Sequence, residues 1–156
     1  MTQSLKIMAA VDMSDFSPTT VRYSMWLAMK LNADLLMVSV INQRDLDMVH
    51  RSMVGYEGFS YSNYLSDQVQ DRERKMKELF EAASPSQVNC RYIVKNGIPY
   101  RELLTAIEEE KPDLLVLSTK GRSNLADVMI GSTARKMYHR SPIPLISVPA
   151  AYSDFP

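Results

Sequence analysis

The chain has 156 residues, 46% of them hydrophobic and 23% charged, which is the composition of an ordinary soluble globular domain long enough to bury a real core. Lys and Arg number 18, and so do Asp and Glu; the zero formal charge excludes a protein that grips nucleic acid through net basicity, while leaving room for a local basic patch. The single cysteine, Cys90, cannot close an internal disulfide and fits a reducing compartment, and Lys, Arg or Asp interrupts every apolar run before it reaches membrane-spanning length.

The opening segment, MTQSLKIMAAVD, has a short apolar part that ends in Asp12. It reads as a strand rather than a signal peptide, so the expected location is the cytoplasm, with no membrane and no nucleic acid among the partners. Leu5 to Val11 is a nearly continuous apolar run, as expected of a strand buried on both faces of a parallel sheet. Ser17-Pro18 predicts a helix start with Ser17 as cap and Pro18 at the first helical position. Val21, Met25, Ala28 and Met29 recur at helical spacing and should face the sheet, and Asn32 should end the helix. Leu35 to Ile41 is a second buried strand.

Asn42 to Asn63 breaks this rhythm. It carries Gly55, Gly58, Tyr56, Phe59 and Tyr61 behind a polar start and is expected to be a long, partly ordered connection, either a variable surface insertion or a lid or partner surface. A second helix is expected from about Tyr64 to Ala83, with Leu65, Val69, Met76, Leu79, Phe80 and Ala83 as its apolar stripe and DRERKMKE as its solvated face. Ser84-Pro85-Ser86 ends it. Val88 to Val94 is less uniformly apolar and should be an edge strand, with Cys90 a packing residue rather than a reactive thiol. Asn96-Gly97 signals a turn. Pro99 starts a third helix with Leu103, Leu104 and Ile107 inward and Glu108, Glu109 and Glu110 on a solvated end; Pro112 closes it. Leu114 to Leu117 is the fourth strand, a fourth helix runs from about Ser132 to His139, and Ile143 to Val148 is the fifth strand. Residues 1–150 form a single domain and residues 151–156 a C-terminal tail, with the tail-like character beginning at Pro149.

The segment between the fourth strand and the fourth helix, Ser118 to Thr133, reads STKGRSNLADVMIGST. A strand that ends in a glycine loop and is followed by a helix opening Gly-Ser-Thr is suited to phosphate. Glycine allows close backbone approach, the free N–H groups and positive dipole end of a helix favour an anion, and the hydroxyls of Ser132 and Thr133 add donors. Alternating strands and helices imply right-handed crossovers and a parallel sheet covered on both faces. In such sheets ligands sit beyond the carboxyl ends of the strands, where strand order reverses. If the first and fourth strands are neighbours, Asp12 and the Ser118 loop meet over one crevice. GxxxxGK[ST] and a strand-following GxGxxG are both missing from the sequence, which removes the P-loop and the dinucleotide fingerprint. A phospho-receiver would need a further Asp after the third strand, where Val94-Lys95-Asn96-Gly97 stands. No loop residue pairs an obvious base with an orienting partner, so no catalytic and no metal-ligating residue is assigned.

Three segments carry a resemblance. IMAAVDMSDFS, VKNGIPYRELLTAIEEEKPDLLVLSTKGRS and GRSNLADVMIGSTARKMYHRSPIPLISVP together resemble the universal stress protein family over almost the whole chain. The resemblance implies a three-layer α/β/α fold with a five-stranded parallel sheet in the order 3-2-1-4-5, of the adenine nucleotide alpha hydrolase-like type, and a homodimer paired through the last strand. Many members bind ATP through Gly, two residues, Gly, nine residues, Gly, then Ser or Thr. This chain has Gly121, nine residues, Gly131 and Ser132, but Ser118 in place of the first Gly and Asn124 where the family often has another. By resemblance Asp12 would accept hydrogen bonds from adenine and Val11 and Val40 would pack on the ring. Leu117, Ser118 and Lys120 would follow the ribose and phosphate path, and Gly121, Gly131, Ser132 and Thr133 would supply phosphate donors. The implied cofactor is ATP or another adenine nucleotide, with or without Mg²⁺, in a stress-response or signalling role. The alternatives are a nucleotide-independent dimeric interaction module and, from the enzyme class, a slow Mg²⁺-dependent ATPase limited to weak hydrolysis.

Overall fold

The computed structural model describes residues 3–83, 87–120 and 130–152. Five strands, β1 (Lys6–Ala10), β2 (Asp34–Asn42), β3 (Cys90–Gly97), β4 (Leu114–Ser118) and β5 (Leu145–Val148), form one sheet in the order β3-β2-β1-β4-β5. All four pairings are parallel, with Met8 opposite both Leu36 and Leu115. The helices are α1 (Ser17–Leu31), α2 (Gln43–Met53), α3 (Tyr61–Ala82), α4 (Pro99–Glu110) and α5 (Ser132–Arg140). This is the adenine nucleotide alpha hydrolase-like architecture, with β1 beside β4 at the point where strand order reverses.

The strands alternate between two cores because successive side chains point to opposite faces. Ile7, Ala9, Leu35, Met37 and Val116 pack with Val21 and Ala28 of α1 and Met76 of α3. Met8, Leu36, Val38, Leu115 and Leu117 pack with Leu103, Ala106 and Ile107 of α4 and Ala134 and Met137 of α5. Both faces of β1, β2 and β4 are therefore buried, which is why those segments read as unbroken apolar runs. β3 has a half-exposed pattern and stands at the sheet edge as its mixed composition predicts. Burial pushes the Cys90 thiol up to about 11, against a smaller lowering by its hydrogen bond with Tyr92; a thiol so rarely ionised is a packing group, not a nucleophile.

Several expectations are corrected. Asn42 to Asn63 is not a loose connection: it holds the whole of α2 and the start of α3. The Asn42 side chain accepts from Arg44 N at 3.0 Å and caps α2, Gln43 and Asp47 bond one turn apart, and Leu46 is the one α2 side chain fully buried. Gly55 and Gly58, at φ +89° and +84°, supply the left-handed turns that lead from α2 into α3. The helix expected from Tyr64 starts at Tyr61, where Ser60 caps it by accepting from Asn63 N. Ser17 is not the cap of α1. It is the first helical residue, Phe16 occupies the cap position without a side-chain bond, and the Ser17 hydroxyl donates instead to Asp12. Met29 points to solvent, 51% exposed. Asn96-Gly97 is not a turn but the end of β3, paired with Ile41 and Asn42. Glu109 and Glu110 are not merely solvated, since Glu109 pairs with Lys95 and Glu110 with Arg91 and Lys6. The chain past Pro149 does not trail away at once: Tyr152 packs edge-on against Tyr23 of α1. Asn32 ends α1 as expected, in the left-handed conformation with φ 51°.

Candidate functional site

Every strand of a parallel sheet delivers its next residues to the same edge, and the crossover helices begin there. At that edge, on the α4/α5 side, a cleft of about 390 Å³ opens between the ends of β2, β1 and β4 and the first turns of α2, α4 and α5. Val11, Asp12, Val40, Leu117, Ser118, Lys120, Gly131, Ser132 and Thr133 all line it, so nine of the residues singled out in the sequence share one crevice. Gly121, with Arg122, Asn124 and Asp127, lies outside the described residues.

Asp12 follows β1, whose line is prolonged by Val11 N donating to Val38 O at 2.9 Å. One carboxylate oxygen, Oδ1, accepts from Ser14 N at 3.0 Å and from the Ser17 hydroxyl at 3.1 Å. These two bonds fix the side chain. Among the described residues, no donor meets Oδ2, a pure acceptor on a residue that lines the cleft. The next residue, Met13, has φ 62°, a left-handed conformation that side chains of its size rarely adopt. The turn tolerates it because Met13 packs on the α1-side core.

On the other side of β1, the exit of β4 is closed by two backbone bonds: Thr119 N donates to Val148 O at 3.1 Å and Gly131 N to Thr119 O at 2.6 Å. The second ties the cap of α5 to the strand it follows. Gly131 has no side chain to cap the helix, and the first amide with a described partner is Arg135 N, bonded to Gly131 O. No acceptor among the described residues takes the amides of Ser132, Thr133 and Ala134. Three N–H groups without a partner among the described residues and the positive end of the helix dipole thus lie at the cleft. The Ser118 hydroxyl is turned into its own loop, within 3.4 Å of Lys120 N, rather than standing free in the crevice.

Sequence reasoning missed Asn42, Arg44 and Asp45 at the start of α2, and Pro99 and Leu103 of α4, which also line the cleft. A usable signal existed. The rule that places ligands beyond strand ends points to Asp12 after the first strand and Ser118 after the fourth, and equally, after the second, to Asn42 and its neighbours. Asp12 and Asp45 give the cleft two carboxylates, Lys120 and Arg44 two cations. No group of three or more His, Cys, Asp or Glu side chains able to hold a metal occurs among the described residues. No described helix is long and apolar enough to cross a membrane.

Comparison with known proteins fits this geometry. Residues 4–149 match the universal stress protein family. The universal stress protein YxiE of Bacillus subtilis is 26% identical over 144 residues, covering 92% of this chain and 97% of that protein. Among solved structures, MJ0577, a protein of Methanocaldococcus jannaschii, superimposes with a TM-score of 0.77 at 17% identity, over 95% of this chain and 97% of that one. A universal stress protein solved in complex with cAMP superimposes with a TM-score of 0.67 at 19% identity, over 96% of this chain and all of that one, 100%. With a family match spanning nearly its full length and the sheet order and strand-end cleft described above, the chain belongs to the universal stress protein family.

Proposed function

We propose that the cleft binds an adenine nucleotide and that the protein acts as a nucleotide-responsive module in stress response or signalling. The observation that carries the reading is the pairing, in one crevice, of a fixed acceptor at Asp12 with three amides at the start of α5 that have no partner among the described residues. An acceptor-only carboxylate suits the amino edge of a base, and uncapped helix amides suit a phosphate. Val11 and Val40 would pack on the ring. Leu117, Ser118 and Lys120 would follow the sugar and phosphate path, and Gly121, Gly131, Ser132 and Thr133 would complete the phosphate cradle. The cAMP complex of a relative supports the ligand class. ATP, AMP and cAMP share the base and the first phosphate, so this part of the cleft serves all three.

Asp12→Asn tests the base end. The amide oxygen still accepts from Ser14 and Ser17, so the fold is kept, but an NH2 replaces the free oxygen and meets the base amino group donor to donor. Hydrogen bonds to charged groups are worth about 1.5–3 kcal/mol, so AMP affinity measured by calorimetry should fall at least about tenfold. Unchanged affinity would take the base away from Asp12. The homodimer belongs to the same proposal: β5 ends the sheet with one edge unpaired among the described residues, a template for a second copy. Light scattering should then give about twice the 17.7 kDa chain mass, and a monomer at all concentrations would refute it.

A further inference from the structure

The zero net charge conceals a local imbalance on the α4/α5 face, apart from the strand-end cleft. A groove of about 470 Å³ opens between the C-terminal ends of α4 and α5. Its apolar lining includes Leu104, Ile107 and Ile143, and its charged lining is Glu108, Lys111 and Arg140. Arg140 carries the groove on into a second group of side chains. Its guanidinium carbon lies 5.1 Å from the ring centroid of Tyr100, in the first turn of α4, with Lys136 Nζ at 4.6 Å and the guanidinium carbon of Arg101 at 5.7 Å. Arg101 Nε also donates to the Tyr100 hydroxyl at 3.0 Å. That bond, and then the charges of Arg101, Arg140 and Lys136, lower the Tyr100 phenol below its ordinary range.

The acids of α4 do not answer these cations. Glu109 pairs with Lys95, and Glu110 with Arg91 and Lys6. Glu102 lies against Gly97 at the end of β3, where an added Cβ would meet it at 2.8 Å. Of the four carboxylates of α4, only Glu108 lines the groove. Among the described residues, Arg101, Lys111, Lys136 and Arg140 meet no carboxylate. Helix dipoles account for Lys111 and Arg140, at the C-terminal ends of α4 and α5. They do not account for Arg101, which sits at the positive end of α4. The Tyr100 ring holds three of the four cations together, and like charges gathered in this way gain by meeting an anionic partner.

The lining says what kind of anion. Tyr100, Leu104, Ile107 and Lys111 follow one another at helical spacing along one stripe of α4, with about 16 Å of rise from first to last. An extended chain covers that length in about five residues. We propose that this stripe, with Lys136 and Arg140 of α5, docks an extended acidic segment of another protein, its apolar side chains on Leu104, Ile107 and Ile143 and its carboxylates on Lys111, Lys136 and Arg140. The excess of cations over the one groove carboxylate favours an acidic partner. The apolar lining favours a peptide over nucleic acid, whose sequence-independent affinity comes from phosphate contacts. The proposal does not depend on the nucleotide reading of the cleft.

The test is selection of a random heptapeptide library on the full chain, followed by fluorescence anisotropy of the enriched peptides. Enriched sequences should combine Asp or Glu with Leu, Ile, Val or Phe. K136E/R140E, which exchanges two exposed charges and leaves the core alone, should weaken their binding by about tenfold or more. Leu104→Gln should weaken it with the charges intact, and Lys30→Glu on α1, across the sheet, should not. Melting temperatures close to that of the unaltered chain would show that the fold is kept. No enrichment, enrichment of neutral or basic peptides, or acidic peptides that K136E/R140E binds as well as before would overturn the proposal. If no peptide is enriched and K136E/R140E abolishes salt-dependent binding of a single-stranded oligonucleotide, the surface belongs to nucleic acid instead. If no peptide is enriched and the same variant halves the mass seen by light scattering, it belongs to a second copy of this chain.

Discussion

Ser132→Pro should weaken AMP binding about tenfold to a hundredfold with little change in the melting temperature. Ser132 is the first residue of α5, a position where proline is favoured because its fixed φ suits the helix and its missing N–H is one the helix does not use. The residue before a proline must be extended, and Gly131 already is, at φ −67° and ψ 159°. The substitution therefore removes one phosphate-facing amide while leaving the helix in place. A hydrogen bond from a fixed donor to a charged oxygen is worth about 1.5–3 kcal/mol, which sets the size of the loss. Ser132→Ala, which removes only a hydroxyl, should cost less. If the two variants behave alike, the amides are not the phosphate site and the hydroxyl accounts for whatever loss is seen. If neither weakens binding, the anion lies elsewhere.

Leu115→Ala should produce the largest loss of stability. Leu115 is 0% exposed and sits in β4, paired with Met8 on one side and Leu145 on the other. It packs into the core shared by α4 and α5, with Leu103, Ala106, Ile107 and Met137. Removing a buried leucine's outer carbons leaves a cavity that a parallel sheet with both faces covered cannot collapse, and costs about 2–5 kcal/mol. That is a large share of the roughly 5–15 kcal/mol available to a domain, and at about 2–4 °C per kcal/mol it corresponds to a melting point lowered by roughly 10 °C. Denaturant titration with an unchanged slope and a loss in this range is the expected result. A loss below about 1 kcal/mol would mean that the two-faced core is not packed around β4 as described.

How much of this was legible in the sequence depended on what each segment buries. β1, β2 and β4 were readable because both their faces are covered, which leaves no room for polar residues. The edge position of β3 was readable for the opposite reason. Strand order was not readable from the residues, since apolar runs say that strands are buried and not which is whose neighbour; it came from the family resemblance. α2 is hard to read because its apolar stripe is only three residues, Leu46, Val49 and Met53, with Leu46 alone fully buried, and because its cap, Asn42, and the glycines that follow it have the composition of a polar loop. Ser17 was misread because Ser-Pro signals a cap, while the nearby carboxylate of Asp12 competed for the hydroxyl and won. The site residues at the ends of β1 and β4 were legible from loop chemistry. Arg44 and Asp45 are legible only as neighbours of the second strand's end, and their place in the cleft depends on α2 starting where it does. Ser118 stood out as a departure from the family pattern, and only the structure shows its hydroxyl engaged with the backbone of Lys120.

The central claim is that the crevice at the ends of β2, β1 and β4 takes an adenine nucleotide. Calorimetric titration of nucleotide-stripped protein with AMP tests it most directly. The account predicts saturable binding at one site per chain, in the micromolar range that corresponds to about −8 kcal/mol, and competition by cAMP and ATP. No heat and no competition at millimolar nucleotide would contradict it, and would leave a chain that keeps the family's fold without its ligand.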